Sequence, residues 1–157
     1  STVTRNIAAN TTIMDTHNPL LDALLSQKYE EASRRGVLLS FDLPDLRELP
    51  LENTDLVMLI SNLLNNAVEA AAKADPPEVY VRIRKSEAEL LLSVRNRVEA
   101  DLDLVDGQLP HSTKKEPGHG IGLWNVKTVL EKYGGEYAIS CRDRWFRFTC
   151  SIPIRSL

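Results

Sequence analysis

The chain has 157 residues, 43% hydrophobic and 26% charged, with 19 Lys and Arg against 22 Asp and Glu for a formal charge of -3. That length and composition fit one domain with a real hydrophobic core, and they exclude a disordered chain and a basic nucleic-acid footprint. No apolar run approaches the roughly 18 residues of a membrane span, and three histidines without clustered cysteines leave no structural zinc pattern.

Residues 1–15 show no firm periodicity and read as a lead-in from an upstream region. Asn18-Pro19 marks a turn. Leu20, Leu21, Leu24, Leu25, Tyr29 and Ala32 then recur at helical spacing, with Pro19 suited to the first position and Gly36 to the stop. Val37, Leu39, Phe41 and Leu43 alternate, which predicts a strand over 37–43. After a loop bracketed by Pro44 and Pro50, Asn53 or Thr54 is expected to cap a second helix. Its stripe of Leu56, Leu59, Ile60, Leu63, Leu64, Ala67, Val68 and Ala71 runs to about residue 73.

Val79, Val81 and Ile83, then Leu90, Leu92 and Val94, form the inward sets of two strands joined by a turn near residues 86–88. Residues 97–119 are acidic at first and poor in apolar side chains. They read as a long functional segment with a short helix near residues 102–105. Helical spacing returns over residues 121–133 and stops at Gly134-Gly135. Two strands follow, near 137–141 and 145–152. Cys141 and Cys150 fall in these strands and read most plainly as free thiols, with a bridge as the unforced alternative. Helices alternating with hairpins predict an α/β two-layer sandwich, a mixed sheet with helices on one face.

Three polar features stand apart from the core pattern. Asn62 and Asn66 lie one turn apart on one helix face, and Glu69 extends the row. Asparagine is a mediocre helix former. An amide oxygen can hold Mg²⁺ without repelling a polyphosphate, although helix-to-loop hydrogen bonds would also use such a pair. Residues 112–123 then set Gly118, Gly120 and Gly122 before a helix, with Lys114 and Lys115 ahead of them. Missing side chains and free helical N–H groups suit a polyphosphate; a flexible hinge is the plainer alternative. The spacing is neither a Rossmann fingerprint nor a Walker A loop. Asn96, finally, continues the inward phase of Leu90, Leu92 and Val94, either as a turn residue or as an amide aimed into a pocket, where it could meet an adenine ring.

Taken together, residues 62–70 (NLLNNAVEA) resemble the N box of the ATPase domain shared by gyrase, Hsp90, histidine kinases and MutL. Residues 118–126 (GHGIGLWNV) resemble the later glycine box of that superfamily, and the continuation through Lys132-Tyr133-Gly134-Gly135 is especially similar to sensor histidine kinases. Residues 18–28 and 112–115 resemble peptide quorum-sensing receptor kinases. The resemblance covers about residues 15–155 and implies a Bergerat-type fold that binds ATP and Mg²⁺.

By that resemblance Asn66 is the metal ligand and Asn62 its neighbour at the phosphates. Gly118, His119, Gly120, Gly122 and Leu123 form the glycine box around the triphosphate, with Glu69 beside the asparagine row. Lys114 and Lys115 neutralise phosphate charge, and residues 97–119 act as a lid within a catalytic domain spanning 16–157. Asn96 takes the place of the aspartate in an Asp-x-Gly-x-Gly box whose glycines are also absent, and Ser61 stands where many relatives are acidic. None of His17, His111 and His119 lies on a long amphipathic helix, so the phosphoacceptor is expected on an upstream dimerisation helix. The implied partners are that helix and a cognate response regulator. The implied setting is a cytoplasmic domain of an integral membrane receptor. A degenerate nucleotide-binding module, a hydrolytic ATPase and an anti-sigma-type serine kinase are the alternatives within the superfamily.

Overall fold

In the computed structural model, residues 3–5, 14–102 and 119–155 are described. Nine elements follow in chain order among them: β1 (Val3–Arg5), α1 (Pro19–Arg34), β2 (Leu38–Leu43), α2 (Asn53–Ala71), β3 (Glu78–Lys85), β4 (Glu89–Arg97), α3 (His119–Lys132), β5 (Glu136–Arg142) and β6 (Trp145–Pro153). The strands form one sheet in the order β1-β2-β3-β4-β6-β5. Only β2 and β3 run parallel, because α2 carries the chain back between them; the other neighbours are antiparallel. The result is the expected mixed sheet with the helices on one face, consistent with a Bergerat-type fold.

Period-2 alternation fixes which side of each strand meets the helices. In register, Phe41, Val81, Val94, Phe148 and Ile139 form one row across five strands. The core closes over such rows with Leu21, Leu24, Leu25 and Ala32 of α1, the α2 stripe, and Val126, Val129 and Leu130 of α3. Leu20, read as part of the α1 stripe, is exposed instead. The buried stripe of Leu21, Leu24, Leu25 and Ala32 centres roughly 100° round the helix from Leu20, which therefore falls at its rim in the first turn. Asn18 caps α1 by accepting from the Leu21 N–H at 3.1 Å, Pro19 opens the helix, and Gly36 takes the left-handed turn beyond it at φ 74°.

Two other expectations are corrected. The cap of α2 is Glu52, with no side-chain cap bond, and Asn53 opens the helix rather than capping it. The strand β1 lies inside the stretch read as aperiodic, and it pairs Val3 with Leu43; three residues are too few to register a period. Both cysteines are free, as expected. The short helix expected near residues 102–105 lies outside the described residues apart from Leu102. Among the described residues no helix is long and apolar enough to cross a membrane.

Candidate functional site

The packing of α2 against α3 brings the asparagine row to the glycine box. Gly122, in the first turns of α3, is buried against Asn62 and Asn66. A Cβ placed on Gly122 would stand 3.0 Å from Asn66 Nδ2 and 3.4 Å from Asn62 Oδ1. The missing side chain permits this approach; a Cβ there would make the amides give by a few tenths of an ångström.

The two asparagines are used differently. Asn62 Nδ2 donates to the Met58 carbonyl at 2.6 Å, one turn back, which leaves its Oδ1 on the Gly122 side. Among the described residues Asn66 Nδ2 is buried with no hydrogen-bond partner. A buried amide left unpaired costs about 1–3 kcal/mol, so Asn66 occupies the seam at the expense of stability. Its chemistry suits the expected ligands: the oxygen can take a hard cation and the N–H₂ a phosphate oxygen. Among the described residues no group of three His, Cys, Asp or Glu side chains could hold a metal. A magnesium ion here would rest on the Asn66 oxygen together with waters and substrate oxygens, as Mg²⁺ commonly does.

Asn65, between them in sequence, points the other way and accepts from Lys28 Nζ at 3.0 Å, tying α2 to α1. Glu69 lies on α2 one turn past Asn66 and is half-buried. Leu123, the residue after Gly122, packs against the core. His119 and Gly120 fall in the opening turn of α3. Lys114, Lys115 and Gly118 lie outside the described residues, as does most of the expected lid.

Asn96 is on the sheet floor. It continues the row Leu39, Val79, Asn96, Phe146 and Cys141, and is only 3% exposed. Its Nδ2 donates to the Arg97 carbonyl at 3.1 Å, and among the described residues its Oδ1 accepts no hydrogen bond. It is thus an inward-facing amide in the last row of β4, not a turn residue beyond the strand. The start of the expected lid is anchored rather than loose. Val98 N–H donates to Arg144 O at 3.1 Å, Arg144 N–H to Asp101 Oδ1 at 2.6 Å, and Leu102 N–H to Cys141 Sγ at 3.3 Å.

One cluster that shapes the seam has no counterpart among the site residues singled out in the sequence. Tyr133 Oη, at the end of α3, accepts from the Glu52 N–H at 2.9 Å and donates to Asp55 Oδ2 at 2.5 Å; Lys132 Nζ reaches the same oxygen at 2.8 Å. The tyrosine hydroxyl serves the N-terminus of α2, which has no cap of its own, and pins the C-terminus of α3 there. Lys132 and then Tyr133 hold the Asp55 carboxyl below its usual range, while burial and the bond to Asp55 push the Tyr133 phenol up. Nothing local in the sequence signals this arrangement, because Asn53 and Thr54 stand there as nearer cap candidates.

Residues 51–153 match the GHKL domain family. Over 144 residues, 87% of this chain and 31% of the relative, the sequence is 26% identical to the sensor histidine protein kinase HK06 of Streptococcus pneumoniae. Over 125 residues, 75% of this chain and 24% of the relative, it is 28% identical to the sensor protein PhoQ of Escherichia coli. The chain spans less than a third of the length of these curated relatives. Among solved structures, the nucleotide-free catalytic domain of the histidine kinase ThkA is similar in fold, with a TM-score of 0.69 at 19% identity, covering 91% of this chain and 96% of that one.

Proposed function

The chain belongs to the GHKL domain family, and from that premise we propose that it is the ATP- and Mg²⁺-binding catalytic domain of a sensor histidine kinase, spanning 16–157 with its lid over 97–119. The observation that carries this reading is the seam in which Gly122 abuts Asn62 and Asn66, with the Asn66 amide nitrogen buried and unpaired. In the parent protein the γ-phosphoryl group of ATP passes to an imidazole nitrogen on an upstream dimerisation helix, ADP leaves, and the imidazole gives up a proton. A cognate response regulator is the next acceptor. We assign residues 1–15 to the lead-in from that helix and place the domain on the cytoplasmic side of a membrane receptor. The narrower likeness to quorum-sensing kinases rests on residues 18–28 and 112–115, with Asn96 in accord.

Bound magnesium supplies charge neutralisation at the phosphates. This chain's residues do the positioning, which is where phosphoryl transfer draws most of its catalysis. Asn66 Oδ1 is the proposed metal ligand. Asn62, oriented by its bond to Met58 O, faces the phosphates, and the first turn of α3 near Gly120 and Gly122 offers N–H groups at the helix's positive end. In this reading Lys114 and Lys115 neutralise phosphate charge, and Gly118 and His119 belong to the glycine box. Asn96 takes the adenine side through its unused Oδ1. A neutral amide there is worth about 0.5–1.5 kcal/mol, against about 1.5–3 for a charged acceptor, so we expect modest affinity, about -4 to -6 kcal/mol.

The test is a titration with ATP and GTP, with and without Mg²⁺. Asn66→Ala should remove most of the magnesium dependence. Asn96→Ala should weaken ATP and erode the preference for adenine while leaving the metal effect. No ATP binding at several millimolar in the wild type favours a degenerate module. Unchanged metal dependence in Asn66→Ala overturns the site assignment.

A further inference from the structure

The outer edge of β5 is the least protected part of the sheet. β5 pairs with β6 on one side, and among the described residues no strand pairs with the other. The strands β2, β3, β4 and β6 each bury several residues, whereas β5 alternates exposed and half-buried positions and buries none. Tyr137 and Ile139 pack toward the core, Tyr137 stacking on Phe148 at 5.5 Å, yet both stay partly uncovered. Natural sheets blunt such edges with Lys, Pro or a bulge. β5 contains neither residue, and its pairing with β6 is unbroken from Glu136 to Arg142.

The charges of this strand are placed for self-pairing. Glu136 opens it, Arg142 closes it, and Ile139 is the midpoint. Both charged side chains are exposed, and among the described residues neither has an ion-pair partner. Two β5 strands set antiparallel about a two-fold axis at Ile139 bring residue 136 of each copy opposite residue 142 of the other. Tyr137 then lies opposite Cys141, and Ile139 opposite itself, on the incompletely covered helix side. Any other antiparallel register separates Glu136 from Arg142.

We infer that the β5 edge is a homotypic docking surface whose partner is a second copy of this chain, the two sheets joining into one through β5. This inference is independent of the nucleotide-binding reading. A single strand pair is a small interface, so it is a weak contact, one that tethering two copies would populate through effective concentration.

Two measurements test it. In sedimentation equilibrium at up to about 1 mM protein, Glu136→Arg and Arg142→Glu should each weaken self-association about tenfold or more, since both cross-strand charge pairs become repulsive. An equimolar mixture should restore it as a heterodimer, because each 136–142 pair is again of opposite sign; loss of folding would not be rescued this way. In a Cys141→Ser background, Ile139→Cys should form an interchain disulfide on mild oxidation. Ser140→Cys should not, because residue 140 faces residue 138. Association unaffected by either charge change, a mixture no tighter than its components, or equal or absent cross-linking at 139 and 140 overturns the inference.

Discussion

Replacing Gly122 with alanine separates the stability of the α2–α3 seam from its binding role. Two local terms oppose each other. Alanine in place of glycine favours the helix by about 1 kcal/mol. The new Cβ would stand 3.0 Å from Asn66 Nδ2 and 3.4 Å from both amide oxygens, so the amides must withdraw by a few tenths of an ångström. That displacement breaks no bond at the Asn66 nitrogen, which has none, and pushing a side chain off its rotamer costs about 0.5–1.5 kcal/mol. The sum lies within about 1 kcal/mol of zero, a melting shift of no more than roughly 2–4 °C for a domain of this size. The same methyl pushes on the Asn62 and Asn66 amides that are proposed to meet the phosphates and their Mg²⁺. Affinity for Mg-ATP should fall at least tenfold, about 1.4 kcal/mol or more. Calorimetric titration and thermal melting of the same preparation read both quantities. A large fall in melting temperature would show the seam to be too rigid for Asn66 to move. An unchanged affinity in a stable variant would refute the placement of the phosphates against Gly122.

The Tyr133 latch and the buried thiol give two further predictions. Tyr133→Phe removes the acceptor for Glu52 N–H and the donor to Asp55, and should destabilise the fold by about 1–3 kcal/mol in denaturant unfolding; no measurable change would show that water replaces the hydroxyl freely. Because the Asp55 carboxyl titrates below its usual range in the fold, its contribution is present above the unfolded value of about 3.9 and is lost as pH falls through the lower folded value. The stability gap between wild type and Asp55→Asn should therefore narrow below about pH 4, and a gap that widens on acidification would contradict this. Burial pushes the Cys150 thiol up to about 12, whereas Cys141 is half-exposed. A disulfide reagent at pH 8 should modify Cys141 first and reach Cys150 only on unfolding, as the thiolate is the reacting form; two thiols reacting at equal rates in the folded protein would refute that burial.

What was legible in the sequence follows from the range of the forces that write it. The stripes of α1 and α2 and the inward sets of β3 and β4 are local periodicities imposed by burial, and their bounds agree with the structure to within a few residues. The row of Asn62 and Asn66 is visible in the same way, because one helical turn separates them. Tyr133 is different. Its spacing marks it as apolar, and its ring does pack against the core, but its hydroxyl serves Glu52 and Asp55 some eighty residues earlier. No local pattern carries a contact of that separation. The cap of α2 differs from expectation for the same reason: the Glu52 N–H finds its partner in Tyr133, beyond another helix, rather than in Asn53 or Thr54.

Asn96, buried in the core, and the buried amide nitrogen of half-buried Asn66 bear on why such a domain tolerates unpaired polar groups. Each is an amide where an apolar residue of similar size would pack at no electrostatic cost, and among the described residues the nitrogen of Asn66 has no partner and the oxygen of Asn96 accepts no hydrogen bond. A purely structural role would select for satisfied partners, as Asn65 shows by meeting Lys28 and Asn18 by capping α1. Neighbouring asparagines in one fold thus divide into those whose bonds close within the protein and those left open. The open ones lie in the seam beside Gly122 and in the last row of β4, the two places proposed for the phosphate and adenine ends of one ligand. Buried polar capacity without a partner is unfavourable in the empty fold, and it becomes an asset only when a ligand supplies the missing donors and acceptors.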